Sequence, residues 1–113
     1  MKIAVAGGTG TVGAHVVDAL RTRGHEPVVL ARSTGIDLLD GAGLAAALDG
    51  VEVVIDASGT SARSAAESIA FFSRTTTTLL AAETAAGIGH HVALSNVSME
   101  RSPNPYYAGK LAQ

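Results

Sequence analysis

Short apolar runs alternate with longer amphipathic stretches along the whole chain. The runs lie at residues 2–6, 27–31, 51–57 and 91–95. Their apolar positions are continuous rather than alternating, which is typical of parallel strands covered on both faces. A shorter run at residues 36–38 predicts one further, brief strand.

The stretches between these runs carry helical signals. The predicted helices cover residues 11–23, 42–48, 64–86 and 106–113. Val12, Val16 and Leu20 recur at the spacing of one helical face. Gly87 follows the long third helix, at a position where a left-handed residue commonly ends a helix, and Pro105 precedes the last one.

Alternating strands and helices predict an α/β fold. Successive parallel strands joined by helices require right-handed crossovers. We therefore expect a parallel sheet with helices packed on it. The 113 residues form a single domain in this interpretation.

Composition narrows the classes of function. A formal net charge of −2 argues against a nucleic-acid surface and against a polybasic membrane anchor. The absence of cysteine excludes disulfides, cysteine–zinc sites and thiol catalysis. No metal site is predicted, since the adjacent His90 and His91 would point to opposite faces of a strand. With no bilayer-length apolar run and no signal peptide, we expect a soluble cytoplasmic protein without nucleic-acid or membrane partners.

A glycine-rich loop joins the first strand to the first helix. It consists of Gly7, Gly8, Thr9, Gly10, Thr11, Val12 and Gly13. Gly8, Gly10 and Gly13 satisfy the GxGxxG spacing, in which glycines permit a sharp turn, a close approach of backbone to pyrophosphate and tight helix–sheet packing. No Gly-Lys-Ser/Thr follows, which excludes a mononucleotide P-loop. The loop therefore predicts a nicotinamide dinucleotide as partner. Together with the alternating elements it predicts a Rossmann-like, doubly wound parallel sheet with strand order 3-2-1-4-5, which stops after the fifth strand and the start of the next helix.

The residue after the second strand selects between the two nicotinamide cofactors. An acid there would bind the ribose 2′-hydroxyl and favour NAD. Arg32 occupies this region instead, and a guanidinium pairs well with a 2′-phosphate. Glu26 precedes the strand and lies at its wrong end. The sequence favours NADP, with NAD left open.

The sequence resembles the short-chain dehydrogenase/reductase superfamily, in particular its atypical, NmrA-like NAD(P)-binding branch. The resemblance rests on segments 3–13 (IAVAGGTGTVG), 35–38 (GIDL), 51–59 (VEVVIDASG), 91–95 (HVALS) and 106–110 (YYAGK). It implies that Asp37 contacts the adenine edge. It also implies that Ala57, Ser58 and Gly59 line the cofactor.

The same resemblance implies a catalytic set. Tyr106 and Lys110 match the YxxxK pair, and Ser95, or its neighbour Asn96, matches the position of the catalytic serine. In this mechanism the tyrosine gives a proton to the carbonyl oxygen as hydride arrives, the lysine ammonium favours the phenolate, and the serine polarises the substrate oxygen.

Family members continue beyond the YxxxK helix, so the chain is expected to be the N-terminal half of such a protein. Two functions stay open. One is the NADP(H)-binding part of an oxidoreductase that acts on a small carbonyl or alcohol. The other is a non-catalytic, NmrA-like NAD(P)-sensing or interaction module. A homodimer is expected through the long helix at residues 64–86 or through the unpaired edge of the last strand.

Overall fold

The computed structural model describes residues 1–59 and 64–94. Its strands are β1 (Lys2–Ala6), β2 (Glu26–Leu30), β3 (Val53–Asp56) and β4 (His90–Ala93). Its helices are α1 (Thr11–Thr22), α2 (Leu44–Ala47) and α3 (Ala65–Ala86), with a short 3-10 turn at Arg32–Thr34. The helix predicted at residues 106–113 lies outside the described residues.

The strands form one parallel sheet in the order β2-β1-β3-β4. Ala4 lies between Val28 of β2 and Val54 of β3, and Val54 in turn pairs with His91 of β4. This arrangement confirms the predicted α/β, Rossmann-like parallel fold. It also places the carboxyl ends of the three adjacent strands β2, β1 and β3 along one side of the sheet, where a ligand cleft is expected.

The strand predicted at residues 36–38 is absent from this sheet. The Asp37 N–H donates to the Ala42 carbonyl at 3.1 Å, and the Gly41 N–H donates to the Asp37 carbonyl at 2.8 Å. Because these backbone groups are paired within a local turn, the segment does not add to the edge of β2. The predicted order 3-2-1-4-5 is therefore wrong in one strand. When the predicted third strand, at residues 36–38, is removed, the remaining four strands have the observed order β2-β1-β3-β4.

Alternate residues of the central strands face two different layers. Ala4, Ala6 and Val54 belong to a buried cluster with residues of α2 and α3, including Leu44 and Leu79. Their neighbours in sequence point to the opposite face, on which α1 packs. Helices thus cover both sides of the sheet, as a doubly wound fold requires.

Helix α3 forms despite a run of four threonines, which are poor helix formers. Ser64 accepts a hydrogen bond from the Glu67 N–H at its start, and Gly87 ends it with φ 76°. The Thr75 hydroxyl donates back to the Phe71 carbonyl at 2.9 Å, which satisfies a polar group that is 1% exposed. Although α3 has 22 residues, no helix in the described part of the chain is long and apolar enough to cross a membrane.

Candidate functional site

A cleft of about 560 Å³ lies beyond the carboxyl ends of β1, β2 and β3. The residues that line it are Gly7, Thr9, Leu30, Arg32, Ile36, Asp37, Leu38, Leu39, Ser58, Gly59, Glu67, Phe71 and Thr75. They come from the glycine loop, the segment after β2, the turn after β3 and the first half of α3. Four separate chain segments therefore converge on one cavity.

The glycine loop is shaped by contacts that leave no room for side chains. A Cβ on Gly13 would lie 1.9 Å from the Gly7 carbonyl oxygen. Gly7 itself has φ +75°, and a Cβ there would lie 2.7 Å from the Ala57 carbonyl oxygen. Glycine at these two positions lets the first turn of α1 pack directly on the end of β1.

The same loop presents the N-terminus of α1 at the rim of the cleft. Gly10 is the N-cap, and its N–H donates to the Gly7 carbonyl at 3.0 Å. No side chain caps α1 within the described part of the chain. The first-turn N–H groups and the helix dipole therefore offer a partial positive charge suited to phosphate oxygens.

A buried aspartate fixes the turn that follows β3. Asp56 is 1% exposed, and its Oδ1 accepts hydrogen bonds from the Ser58 N–H, at 3.0 Å, and from the Ser58 hydroxyl. The Ala57 N–H donates to the Ala6 carbonyl at 2.9 Å, which continues the ladder beyond the strand. Ser58 and Gly59 are held against the glycine loop as a result.

Arg32 enters the cleft from a compact turn after β2. The Thr34 hydroxyl accepts from the Ala31 N–H at 3.1 Å and donates to the Val29 carbonyl at 2.8 Å. Gly35 ends this turn with φ 83°. The backbone around Arg32 is thus fixed while its side chain stays exposed at the mouth of the cavity.

Helix α3 forms a wall of the cleft that the sequence analysis missed. Glu67, Phe71 and Thr75 are spaced by four residues, so they share one helical face, and all three line the cavity. Phe71 packs edge-on against the fully buried Phe72, with ring centroids 5.1 Å apart. The four-residue spacing of these side chains, in the helix that follows β3, is the sequence feature that could have predicted this wall.

A buried glutamate pairs with a partly buried histidine away from the cleft, between α3 and β4. Glu83 is 3% exposed, and its Oε2 lies 2.7 Å from Nδ1 of His91. Burial raises the pKa of Glu83, and the nearby carboxylate of Asp56 adds to this, whereas the hydrogen bond and charge of His91 lower it in part. The pair fastens the edge strand to the helix.

The structure brings together part of the predicted cofactor set. Gly7, Thr9, Arg32, Asp37, Ser58 and Gly59 line the cleft. Gly8, Gly10, Thr11, Val12, Gly13 and Ala57 are not among its lining residues; of these, Gly10, Gly13 and Ala57 shape the backbone beneath it. The predicted catalytic residues Ser95, Tyr106 and Lys110 lie outside the described residues.

Comparison with known proteins bears on this cleft. No curated protein sequence matches the chain. Its fold is similar to that of UDP-N-acetylglucosamine 4-epimerase from Bacillus cereus, with 28% identity and a TM-score of 0.82 over 99% of this chain and 50% of that one. It is also similar to a short-chain dehydrogenase/reductase superfamily protein from Agrobacterium tumefaciens with bound NAD, at 29% identity and a TM-score of 0.78 over 99% and 42% of the two chains.

A third structure shows the same fold at lower identity. This is UDP-glucose-4-epimerase from Stenotrophomonas maltophila, at 21% identity and a TM-score of 0.75 over 98% of this chain and 46% of that one. The chain thus spans about half the length of these solved relatives. The sequence itself matches the NAD dependent epimerase/dehydratase family over residues 3–105. The chain therefore belongs to the NAD-dependent epimerase/dehydratase family.

Proposed function

We propose that residues 1–113 form one nicotinamide-dinucleotide-binding domain, with the pyrophosphate at the N-terminus of α1. The observation that carries this proposal is the contact of Gly13 with Gly7, which brings the uncapped start of α1 to the rim of the cleft. Cofactor bound to the Agrobacterium tumefaciens relative supports the same ligand class here.

The adenosine half of the cofactor fits the part of the cleft between Arg32 and the wall of α3. Arg32 lies at the mouth, where a ribose 2′-phosphate would meet its guanidinium. Asp37 and Phe71 line the cavity beyond it, with an acceptor for the base amino group and an aromatic surface for its ring. We therefore favour NADP over NAD as the cofactor.

The reaction that we propose is hydride transfer between NADP(H) and a small carbonyl or alcohol. When bound, the cofactor would donate the hydride to a carbonyl or accept it from an alcohol. Tyr106, Lys110 and Ser95 are the proposed groups for proton transfer and for polarising the substrate oxygen, on the strength of the sequence resemblance alone. The match to the NAD dependent epimerase/dehydratase family supports nicotinamide-dependent chemistry for this chain.

Titration of the chain with NADPH and NADH, followed by nicotinamide fluorescence, tests this proposal. NADPH should bind more tightly than NADH. Arg32→Gln should weaken the binding of NADPH by roughly tenfold and leave the binding of NADH nearly unchanged. Only NADPH carries the ribose 2′-phosphate that the guanidinium would pair with. A folded protein that binds neither cofactor at millimolar concentration would refute the proposal.

A second candidate function is the non-catalytic sensor implied by the NmrA-like resemblance. It shares the cofactor site, so binding alone does not separate the two. Cofactor binding without turnover of any carbonyl or alcohol, in the longest natural form of the protein, would favour the sensor. Cofactor oxidation that depends on Tyr106 would favour the enzyme.

A further inference from the structure

The turn at residues 37–42 closes upon itself beside the cleft. Its backbone is paired internally, by the Asp37 N–H to the Ala42 carbonyl and the Gly41 N–H to the Asp37 carbonyl. The Asp37 side chain takes part as well, because its Oδ1 accepts the Leu39 N–H at 2.8 Å. The orientation of the Asp37 carboxylate is therefore tied to the position of Leu39.

Helix α3 holds the tip of this turn through a single carbonyl. Arg74 donates from Nε to the Leu39 oxygen at 3.0 Å, and the Thr78 hydroxyl donates to the same oxygen at 3.5 Å. Gly41 lies against Thr78 so closely that a Cβ there would meet the threonine methyl at 3.2 Å. The charged, shorter bond from Arg74 is the stronger of the two.

The hydrogen bonds from Arg74 and Thr78 to the Leu39 carbonyl join two sides of the same cavity. Asp37 and Leu39 line one side, whereas Phe71 and Thr75 of α3 line another. Arg74 lies between Phe71 and Thr75 in sequence, and it is not itself among the residues that line the cleft. Its contact with Leu39 therefore links the turn that carries Asp37 to the helical wall.

We propose that Arg74, with Thr78 in support, is the positioning residue for the base end of the cofactor cleft. By holding the Leu39 carbonyl, Arg74 keeps the Asp37 carboxylate where it accepts the amino group of an aminopurine. A carboxylate accepts an N–H but repels a carbonyl oxygen, so the site should prefer adenine to an oxopurine. This inference rests on the proposed binding of a dinucleotide.

The test compares two ligands of equal charge: NADPH and its deamino analogue, in which hypoxanthine replaces adenine. The wild-type chain should bind NADPH about tenfold more tightly than the analogue, the size of one hydrogen bond to a charged group. Arg74→Met should abolish most of this preference by weakening NADPH and leaving the analogue nearly unchanged. Thr78→Val should reduce the preference by a smaller factor.

Arg21→Met is the matched control, because Arg21 is exposed in the last turn of α1, whose opposite end faces the cleft. It should leave the preference for adenine intact. A loss of positive charge alone would weaken both ligands equally, so the ratio of their affinities isolates the positioning role from electrostatics. Thermal melting of each variant sets the temperature at which all of them are folded.

The outcomes separate the two proposals. A wild-type chain that binds neither ligand refutes the proposed function. Binding of both ligands with equal affinity, or an adenine preference that survives Arg74→Met, overturns the role of Arg74 while the dinucleotide proposal stands. Loss of the preference in Arg74→Met, with binding of the analogue retained, supports it.

Discussion

The glycine loop and the 37–42 turn border the same cleft, but they keep their shapes by opposite means. The loop depends on missing side chains, since Gly13 touches Gly7 across a separation of six positions. The turn pairs its own backbone, but a side chain from far away fastens it to the rest of the fold, since Arg74 reaches Leu39 across 35 positions. Local residue type determines the shape of the first region, and a tertiary contact determines the place of the second.

The largest effect is expected at the glycine loop. Gly13→Ala would place a methyl group 1.9 Å from the Gly7 carbonyl oxygen, which backbone cannot tolerate without moving α1 off the sheet. We expect a loss of about 3 kcal/mol or more in the free energy of unfolding, measured with urea, and loss of cofactor binding.

Gly10→Ala is the control for this change. Gly10 has an ordinary φ of −77°, and a Cβ there meets its nearest neighbour at 3.3 Å. The cost should stay below about 1 kcal/mol. Equal destabilisation by the two substitutions would contradict the view that the contact of Gly13, rather than loop glycines in general, shapes the region.

A smaller effect is expected at the turn. Gly41→Ala introduces a side chain at φ +82° and 3.2 Å from the methyl of Thr78. We expect a loss of about 1–2 kcal/mol, part of it from the left-handed backbone and part from the contact with α3. Chemical denaturation measures the sum of the two.

Gly24→Ala separates these parts, because Gly24 has φ +83° but nothing within 4 Å of an added Cβ. It should cost less than Gly41→Ala. The excess at Gly41 should shrink when Thr78→Ser removes the methyl group. If the two glycines respond alike, α3 does not press on the turn, and the left-handed backbone accounts for the whole cost.

The smallest effect concerns the other end of α3 and its dependence on pH. Burial raises the pKa of Glu83, with the nearby Asp56 carboxylate adding to the shift and the hydrogen bond to His91 offsetting it in part. The folded chain thus binds this proton more tightly than the unfolded chain. Stability from this group is present below the ordinary glutamate pKa and is lost as pH rises through the raised value.

Denaturant titrations at several pH values measure this effect as the difference between wild type and Glu83→Gln. The free energy of unfolding of the variant should rise relative to that of the wild type as pH rises through that window, because glutamine carries no charge into the buried site. Glu52→Gln is the matched control at an exposed position. A difference that moves in the opposite direction would show that the pairing with His91 outweighs the cost of burial.

The sequence predicted what depends on local pattern. The strand at residues 2–6 and the start of the first helix at Thr11 agree with the structure, because an apolar run and the glycines that follow it are local signals. The long helix was also predicted, over residues 64–86 with Gly87 after its end, but the burial of its side chains does not follow their hydropathy. Ile69 and Leu80 are 41% and 43% exposed, whereas Thr75 and Thr76 are buried.

What escaped prediction depends on distant partners. Residues 36–38 have the composition of a strand, but the turn that Asp37 and Gly41 close, and that Arg74 holds, takes the segment away from the sheet. The wall of α3 was missed for a similar reason. Phe71 and Phe72 are adjacent and chemically alike, and only the packing of the helix sends one to the cleft and the other to the core.

The 37–42 turn meets its own backbone needs and is fastened to α3 through one oxygen atom. It is therefore a self-contained segment that could be exchanged as a unit. A replacement segment of equal length that offers a carbonyl to Arg74 could carry a different side chain in place of Asp37. The preference for one purine base over another could then be redesigned without changing the glycine loop, the proposed site of the pyrophosphate.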